Sequence, residues 1–148
     1  MRRRSRSFFV CSLLLLGVAS GGCKFRVSRS DIPPGAQAAL QEAIDDLDSG
    51  RYDKVYQDAS DEWRSQSSAE DSRATLQRVR DKLGSARTRT RQTAREDQSS
   101  SGPVPGHSVT VIYQTTFDRS EAIETFTLIE QNGRWALAKY RVSSSEFL

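Results

Sequence analysis

The hydrophobic period of this chain changes once, at Gly84: before it apolar residues recur every three or four positions, and after it they alternate with polar ones. The first pattern belongs to helices with one apolar stripe and the second to strands with one apolar face. A chain built this way is expected to be α+β, with its helices burying their stripes on a sheet. Ala36, Ala39, Leu40, Ala43, Ile44 and Leu47 share one helical face between Pro33-Pro34 and Ser49-Gly50. Tyr52, Val55, Tyr56, Ala59 and Trp63 continue that spacing as a short second helix, although Ser60-Asp61 equally suits a helix end. Ser67-Ser68-Ala69-Glu70 fits a capping box, and Ser72, Leu76, Val79 and Leu83 then mark a third helix stopped by Gly84.

Beyond Gly84, Ala86, Thr88, Thr90, Gln92 and Ala94 alternate with Arg87, Arg89, Arg91, Thr93 and Arg95, the pattern of a strand with one strongly basic face. Gln98 to Gly106, Ser-rich with Pro103 and Pro105, reads as a loop. Val109, Val111, Tyr113, Thr115 and Phe117 form the inward face of a second strand. Ile123 to Glu130 and Arg134 to Ser143 flank Asn132-Gly133, a type I′ hairpin signal because both central residues of that turn need positive φ. The expected domain, residues 35–145, is three N-terminal helices on one face of a curved four-stranded antiparallel sheet.

The start of the chain reads as an address. Met1 to Gly22 holds four Arg and no acid, with an apolar run from Phe8 to Ala19 and the small residues Ser20-Gly21-Gly22 before Cys23. These are the parts of a secretory signal, and the run is well short of the roughly 20 apolar residues that cross a bilayer. Cys23 resembles the lipid-attachment cysteine of bacterial lipoproteins, so residues 1–22 are expected to leave and residues 23–34 to act as a lipid-anchored tether. Ser20 departs from the aliphatic residue usual there, and cleavage by ordinary signal peptidase is the alternative. Lys24 after the anchor slightly favours the outer membrane, by resemblance to enterobacterial lipoproteins. The expected location is the bacterial cell envelope, on the periplasmic face of a membrane.

With the leader set aside, 18 basic residues face 19 acidic ones, so the basic character of the chain is mostly the leader's. Nucleic acid is therefore not an expected partner, and no aromatic residue interleaves the Arg run. Cys11 lies inside the leader, which leaves one Cys and no intramolecular disulfide. Two Cys, one His and one Met are too few for a Cys/His metal site or a haem, so no metal and no cofactor is expected.

Gly50-Arg51-Tyr52-Asp53, Trp63, Val79 to Gly84, Pro105-Gly106, Val109 to Tyr113, Phe117, Glu121 to Thr125, Gly133-Arg134-Trp135 and Tyr140, in that order and spacing, resemble the bacterial "domain of unknown function 4019" family over about Ala36 to Val142. The resemblance implies an exported, often lipid-anchored protein with a fold of the cystatin-like or nuclear-transport-factor-2-like type. It implies no established activity, and that superfold carries enzymes, binding modules and inert scaffolds alike.

Glu124 shares strand parity with Ala122, Phe126 and Leu128, so an inward-facing version of that strand buries a carboxylate that must be paired or protonated. Enzymes of the superfold can use such an acid as a general base. His107, the only histidine, sits beside Pro105-Gly106 at a loop edge with no nucleophile near it in sequence, and reads as an exposed turn residue. Arg87, Arg89, Arg91 and Arg95 at two-residue spacing are a candidate surface for an anionic polymer or lipid. The segment from Arg73 to Arg95 carries eight basic residues against Asp81, whereas Asp31 to Ser72 carries eleven acids against Arg51, Lys54 and Arg64, so mutual pairing is the competing explanation. The expected function is a non-catalytic binding or interaction module whose partner is an envelope protein or an anionic polymer or lipid. The alternatives are a small pocketed hydrolase or isomerase using Glu124 with Tyr113 or Tyr140, and a structural spacer without ligand. An arginine paired with Glu124 removes the enzyme reading.

Overall fold

The computed structural model describes residues 32–99 and 106–147. The leader, Cys23, nearly all of the tether and the Pro103-to-Pro105 stretch of the expected loop lie outside the described residues. Helix α1, Pro34–Asp48, starts with proline at its first position, where the missing N–H costs nothing, and buries Ala36, Leu40, Ala43, Ile44 and Leu47. The expected second helix is two: α2, Tyr52–Asp58, and α3, Asp61–Gln66. The break falls at Ser60, whose hydroxyl accepts from the Trp63 N–H at 3.3 Å and whose own N–H donates to the Leu137 carbonyl at 3.0 Å. A new N-cap and a bond to the sheet thus outweigh helix continuation. Helix α4, Ala69–Leu83, is capped by Ser68, which accepts from the Asp71 N–H at 3.1 Å. The capping pair is therefore Ser68 with Asp71, one residue later than the expected Ser67 with Glu70.

Four antiparallel strands follow: β1, Ala86–Ser99; β2, Gly106–Phe117; β3, Glu121–Gln131; and β4, Arg134–Ser143. They lie in the order β1-β2-β3-β4, which makes β1 and β4 the edges. Strand β1 runs past the expected start of the loop, with Gln98 opposite His107 and Ser99 opposite Gly106. The β3–β4 turn is the expected one, with φ of 54° at Asn132 and 75° at Gly133.

Val109, Val111, Phe126, Leu128 and Leu137 from the sheet pack on Leu40, Ile44, Leu47, Val55 and Leu76 from the helices. Leu83, Phe117 and Ala122 form a second cluster at the other end. The opposite face is rich in threonine, with Thr110 and Thr127 in hydrogen-bond contact at 3.3 Å. One apolar and one polar face is the usual economy of an antiparallel sheet covered on one side.

Gly84 joins the two halves at φ 83° and ψ −158°, and a Cβ there would lie 2.5 Å from the Asp118 Cβ. Asp118 needs that closeness, because its carboxylate accepts from the Ser85 N–H at 2.7 Å and from Arg87. Gly84→Ala is expected to lower unfolding free energy by about 2–4 kcal/mol, combining a backbone region reserved for glycine with an overpacked contact. Urea denaturation measures this; a loss under about 1 kcal/mol would mean the β2–β3 turn yields freely.

Candidate functional site

Side chains from α1 and all four strands converge on Glu124. Its inward parity, shared with Ala122, Phe126 and Leu128, leaves it 0% exposed. One carboxylate oxygen accepts from Arg89 Nε at 2.6 Å and from Thr115 Oγ1 at 2.5 Å. The other accepts from Tyr140 Oη at 2.5 Å and, more weakly, from Arg89 Nη2 at 3.4 Å. The Arg89 guanidinium continues to Asp48 at the end of α1, with Nη1 and Nη2 donating to its two oxygens at 2.7 and 2.8 Å. The cluster therefore runs from the half-exposed Asp48 through Arg89, whose side chain is 13% exposed, to the core.

Burial works against the charge of Arg89, but the carboxylates of Asp48 and Glu124 outweigh it and hold the guanidinium above its already high value. Burial, reinforced by the adjacent Glu124 charge, pushes the Tyr140 phenol well above its ordinary value and keeps it a donor. Each Glu124 oxygen already accepts two hydrogen bonds. A general base needs a lone pair facing its substrate, and the recess beside Glu124 and Tyr140 has a volume of about 30 Å³. That is room for a water molecule or two, far below the roughly 300 Å³ or more of a small-molecule site. Tyr113, the other residue offered to an enzyme, lies opposite Glu124 in register and packs edge-on against Phe126.

The basic face expected of β1 is interrupted: Arg89 turns inward, while Arg87, Arg91 and Arg95 are exposed. Register shifts fall between Ala86 and Thr88 and between Arg91 and Thr93, and each bulge changes which residues point inward. Arg89 thereby pairs opposite the buried Thr115 and enters the core, while Arg95 lies opposite Thr110 and contacts Asp97 at 3.4 Å. Arg87 bonds Asp118 at the first bulge. Arg91 lies opposite Tyr113 and is exposed. Arg89 with Asp48 and Arg73 with Asp53 link the basic segment to the acidic one, the pairing that the charge pattern offered as its second explanation.

His107 is in β2, not in a turn. Its Nδ1 lies 2.7 Å from Glu130 Oε2 and its Nε2 2.6 Å from Glu96 Oε1, and its ring meets Trp135 edge-on with centroids 4.7 Å apart. Glu96 and Glu130 flank it across β1 and β3, partners hidden by their distance in sequence. Although burial opposes its charge, the two carboxylates raise the His107 imidazole above its ordinary 6.5. A raised folded value gives stability that is complete below about pH 6.5 and fades as pH climbs through that raised value. His107→Gln is therefore expected to lower the melting temperature most near pH 6 and least near pH 9, a trend that thermal melts across that range check.

Glu42, Asp46 and Asp58 also gather, and the Lys54 ammonium occupies their centre at 2.7, 3.2 and 2.5 Å. Bonds to Asp58 first, then to Glu42 and Asp46, hold that ammonium protonated above its usual range. Buried Asp46 further pairs with Arg51 at 2.6 Å.

An open groove of about 480 Å³ lies between α3–α4 and β4. Trp63, Leu76, Val79, Ala138, Val142 and Phe147 supply its apolar surface. Arg78, Lys139 and Arg141 stand on its rim, exposed and without an ion pair or hydrogen-bonded partner among the described residues. No local sequence signal marks this site, because its walls come from segments some sixty residues apart. Among the described residues, no helix is long and apolar enough to cross a membrane. No curated protein matches the chain. The whole cluster from Asp48 to Tyr140 falls within residues 38–140, which match the family model "Protein of unknown function (DUF4019)", and the chain belongs to that family.

Proposed function

We propose that this protein is an exported, lipid-anchored, non-catalytic binding module of the bacterial cell envelope, with a fold of the cystatin-like or nuclear-transport-factor-2-like type. The observation that carries the non-catalytic part is the closure of Glu124 by Arg89, Thr115 and Tyr140, which leaves the buried acid no free lone pair and no room for a substrate. The open groove beside β4 supports the binding part, since an apolar cleft with a few charged groups on its rim is the usual form of a ligand site. The cationic leader, the short apolar run and Cys23 after Ser20-Gly21-Gly22 support export and anchoring. A diacylglyceryl group on Cys23 holds a domain firmly at a bilayer, at about 0.8 kcal/mol per buried methylene, where a single chain is marginal.

Intact mass of the membrane fraction tests the anchor. The natural chain is expected to carry an acyl-sized increment over the processed sequence, and a Cys23→Ser chain to lack it and leave the membrane. An unmodified natural chain in the soluble fraction would discard the lipoprotein reading.

A further inference from the structure

The groove follows the edge of a strand and not its face. Its β4 wall is the unbroken run Ala138, Lys139, Tyr140, Arg141 and Val142, residues of both parities, so the cavity runs beside the backbone of β4. The facing wall is Ser72, Thr75, Leu76 and Val79, at i, i+3, i+4 and i+7 of α4. Helix α4 packs closely on α2 and meets the core through Leu76 and Leu83, and the groove opens as a slot between its Ser72-to-Val79 face and β4. Trp63 and Phe147 line this slot as well. The regularly paired run Lys139 to Val142, beyond the bulge at Ala138, is about 13 Å long at roughly 3.3 Å per residue, enough for a short strand.

The two faces of that slot differ in chemistry. Tyr140 points to the core and donates to Glu124, so Lys139 and Arg141 project to the opposite, solvent side of the sheet. A strand added beside β4 would place alternate side chains against Leu76, Val79 and Trp63, and the others beside Lys139 and Arg141. Arg73, Arg87 and Arg89 are neutralised within the fold, whereas Arg78, Lys139 and Arg141 have no ion-pair partner among the described residues. From this geometry we infer that the groove takes an extended segment of a partner protein, alternating apolar and acidic residues, as a fifth strand beside β4. The inference rests on the binding-module reading and names its ligand. Backbone pairing with an exposed edge supplies affinity in this mode, and the alternate side chains supply specificity.

The probes are the peptide acetyl-Val-Glu-Val-Glu-Val-Glu-amide, its Val-Lys counterpart, versions of the first N-methylated at alternate residues in either register, and dodecanoate. Each is titrated into the Cys23→Ser chain while backbone amide resonances and calorimetric heats are followed. The acidic peptide is expected to shift the amides of residues 138–142 and to bind roughly tenfold more tightly than the lysine peptide, with at least one N-methylated register failing to bind. A Lys139→Glu/Arg141→Glu chain is expected to reverse the preference between the two peptides, a gain that misfolding cannot imitate. If only dodecanoate shifts those amides, the groove is an amphiphile site: the peptide inference falls and the binding-module reading stands. If the chain self-associates through these residues and the charge reversal abolishes that association, the occupant is a second copy and the inference falls. If no probe perturbs residues 138–142, the inference and the binding-module reading fall together.

Discussion

An Arg89→Met chain should unfold at markedly lower urea concentration, with a loss of about 3–5 kcal/mol, because it strands the Glu124 carboxylate in the core without its cation. Methionine keeps much of the volume, so the loss reports charge and hydrogen bonding more than packing. Thr115 and Tyr140 remain as donors, and their two bonds keep the loss from exceeding this range. Arg89→Lys is expected to lose less, since it retains a charge but gives up the two-pronged contact with Asp48. An unchanged denaturant slope is expected in both chains, which marks a change in stability and not in compactness.

The other severe substitution is Phe126→Ala, expected to cost about 3–5 kcal/mol. Phe126 is 0% exposed, and its ring sits between Tyr140, at 4.9 Å, and Tyr113, at 5.9 Å edge-on. The void it leaves lies at the centre of the main core, where helices and sheet meet. Phe126→Leu preserves most of the volume and should cost under about 1.5 kcal/mol. Tyr140 touches both Phe126 and Glu124, so Phe126→Ala and Arg89→Met are close enough for their effects not to add. Equilibrium unfolding of the two single chains and the combined one measures that shortfall.

What a single residue type enforces locally could be read before the fold was known. Gly84 separates the two periods because only glycine suits its backbone and tolerates Asp118 beside it. Asn132-Gly133 forms its hairpin because both residues accept positive φ. The alternation from Val109 to Phe117 is uninterrupted and marks the buried face correctly apart from the half-buried Tyr113. The errors came from features that depend on a neighbour. The bulges in β1 insert an extra residue without altering the Arg-x-Arg-x spelling, so a strip that looks continuous is divided between two faces and the bulges. The split between α2 and α3 depends on a bond from Ser60 to Leu137, and the histidine environment depends on Glu96 and Glu130. At Glu124, parity offered a buried acid only if that face of the strand turned inward, and Arg89 was already among the candidate residues. Nothing local joined the two, or added Asp48 and Thr115.

The same cluster separates a binding module from an enzyme in physical terms. Catalytic acids sit in sites held open for substrate at some expense of stability, and their neutralisation often stabilises the fold. Glu124 is bonded at both oxygens beside a recess of about 30 Å³, and the open groove lies instead along β4, where Arg78, Lys139 and Arg141 are exposed and unpaired among the described residues. On the proposed binding-module reading, binding and stability are divided between different parts of the molecule. Substitutions at the groove rim should alter ligand preference with little change in unfolding.

A double-mutant cycle on Arg89→Met and Glu124→Leu, followed by urea unfolding, decides whether this buried acid serves the fold. Each single change is expected to destabilise, Glu124→Leu by about 2–4 kcal/mol because Tyr140 and Thr115 lose their acceptor. The combined chain should lose at least about 2 kcal/mol less than the sum, since neither partner is then left alone. If instead Glu124→Leu raises stability and Arg89→Met is nearly neutral, the carboxylate is held at a cost to the fold, and the non-catalytic reading of this protein is wrong.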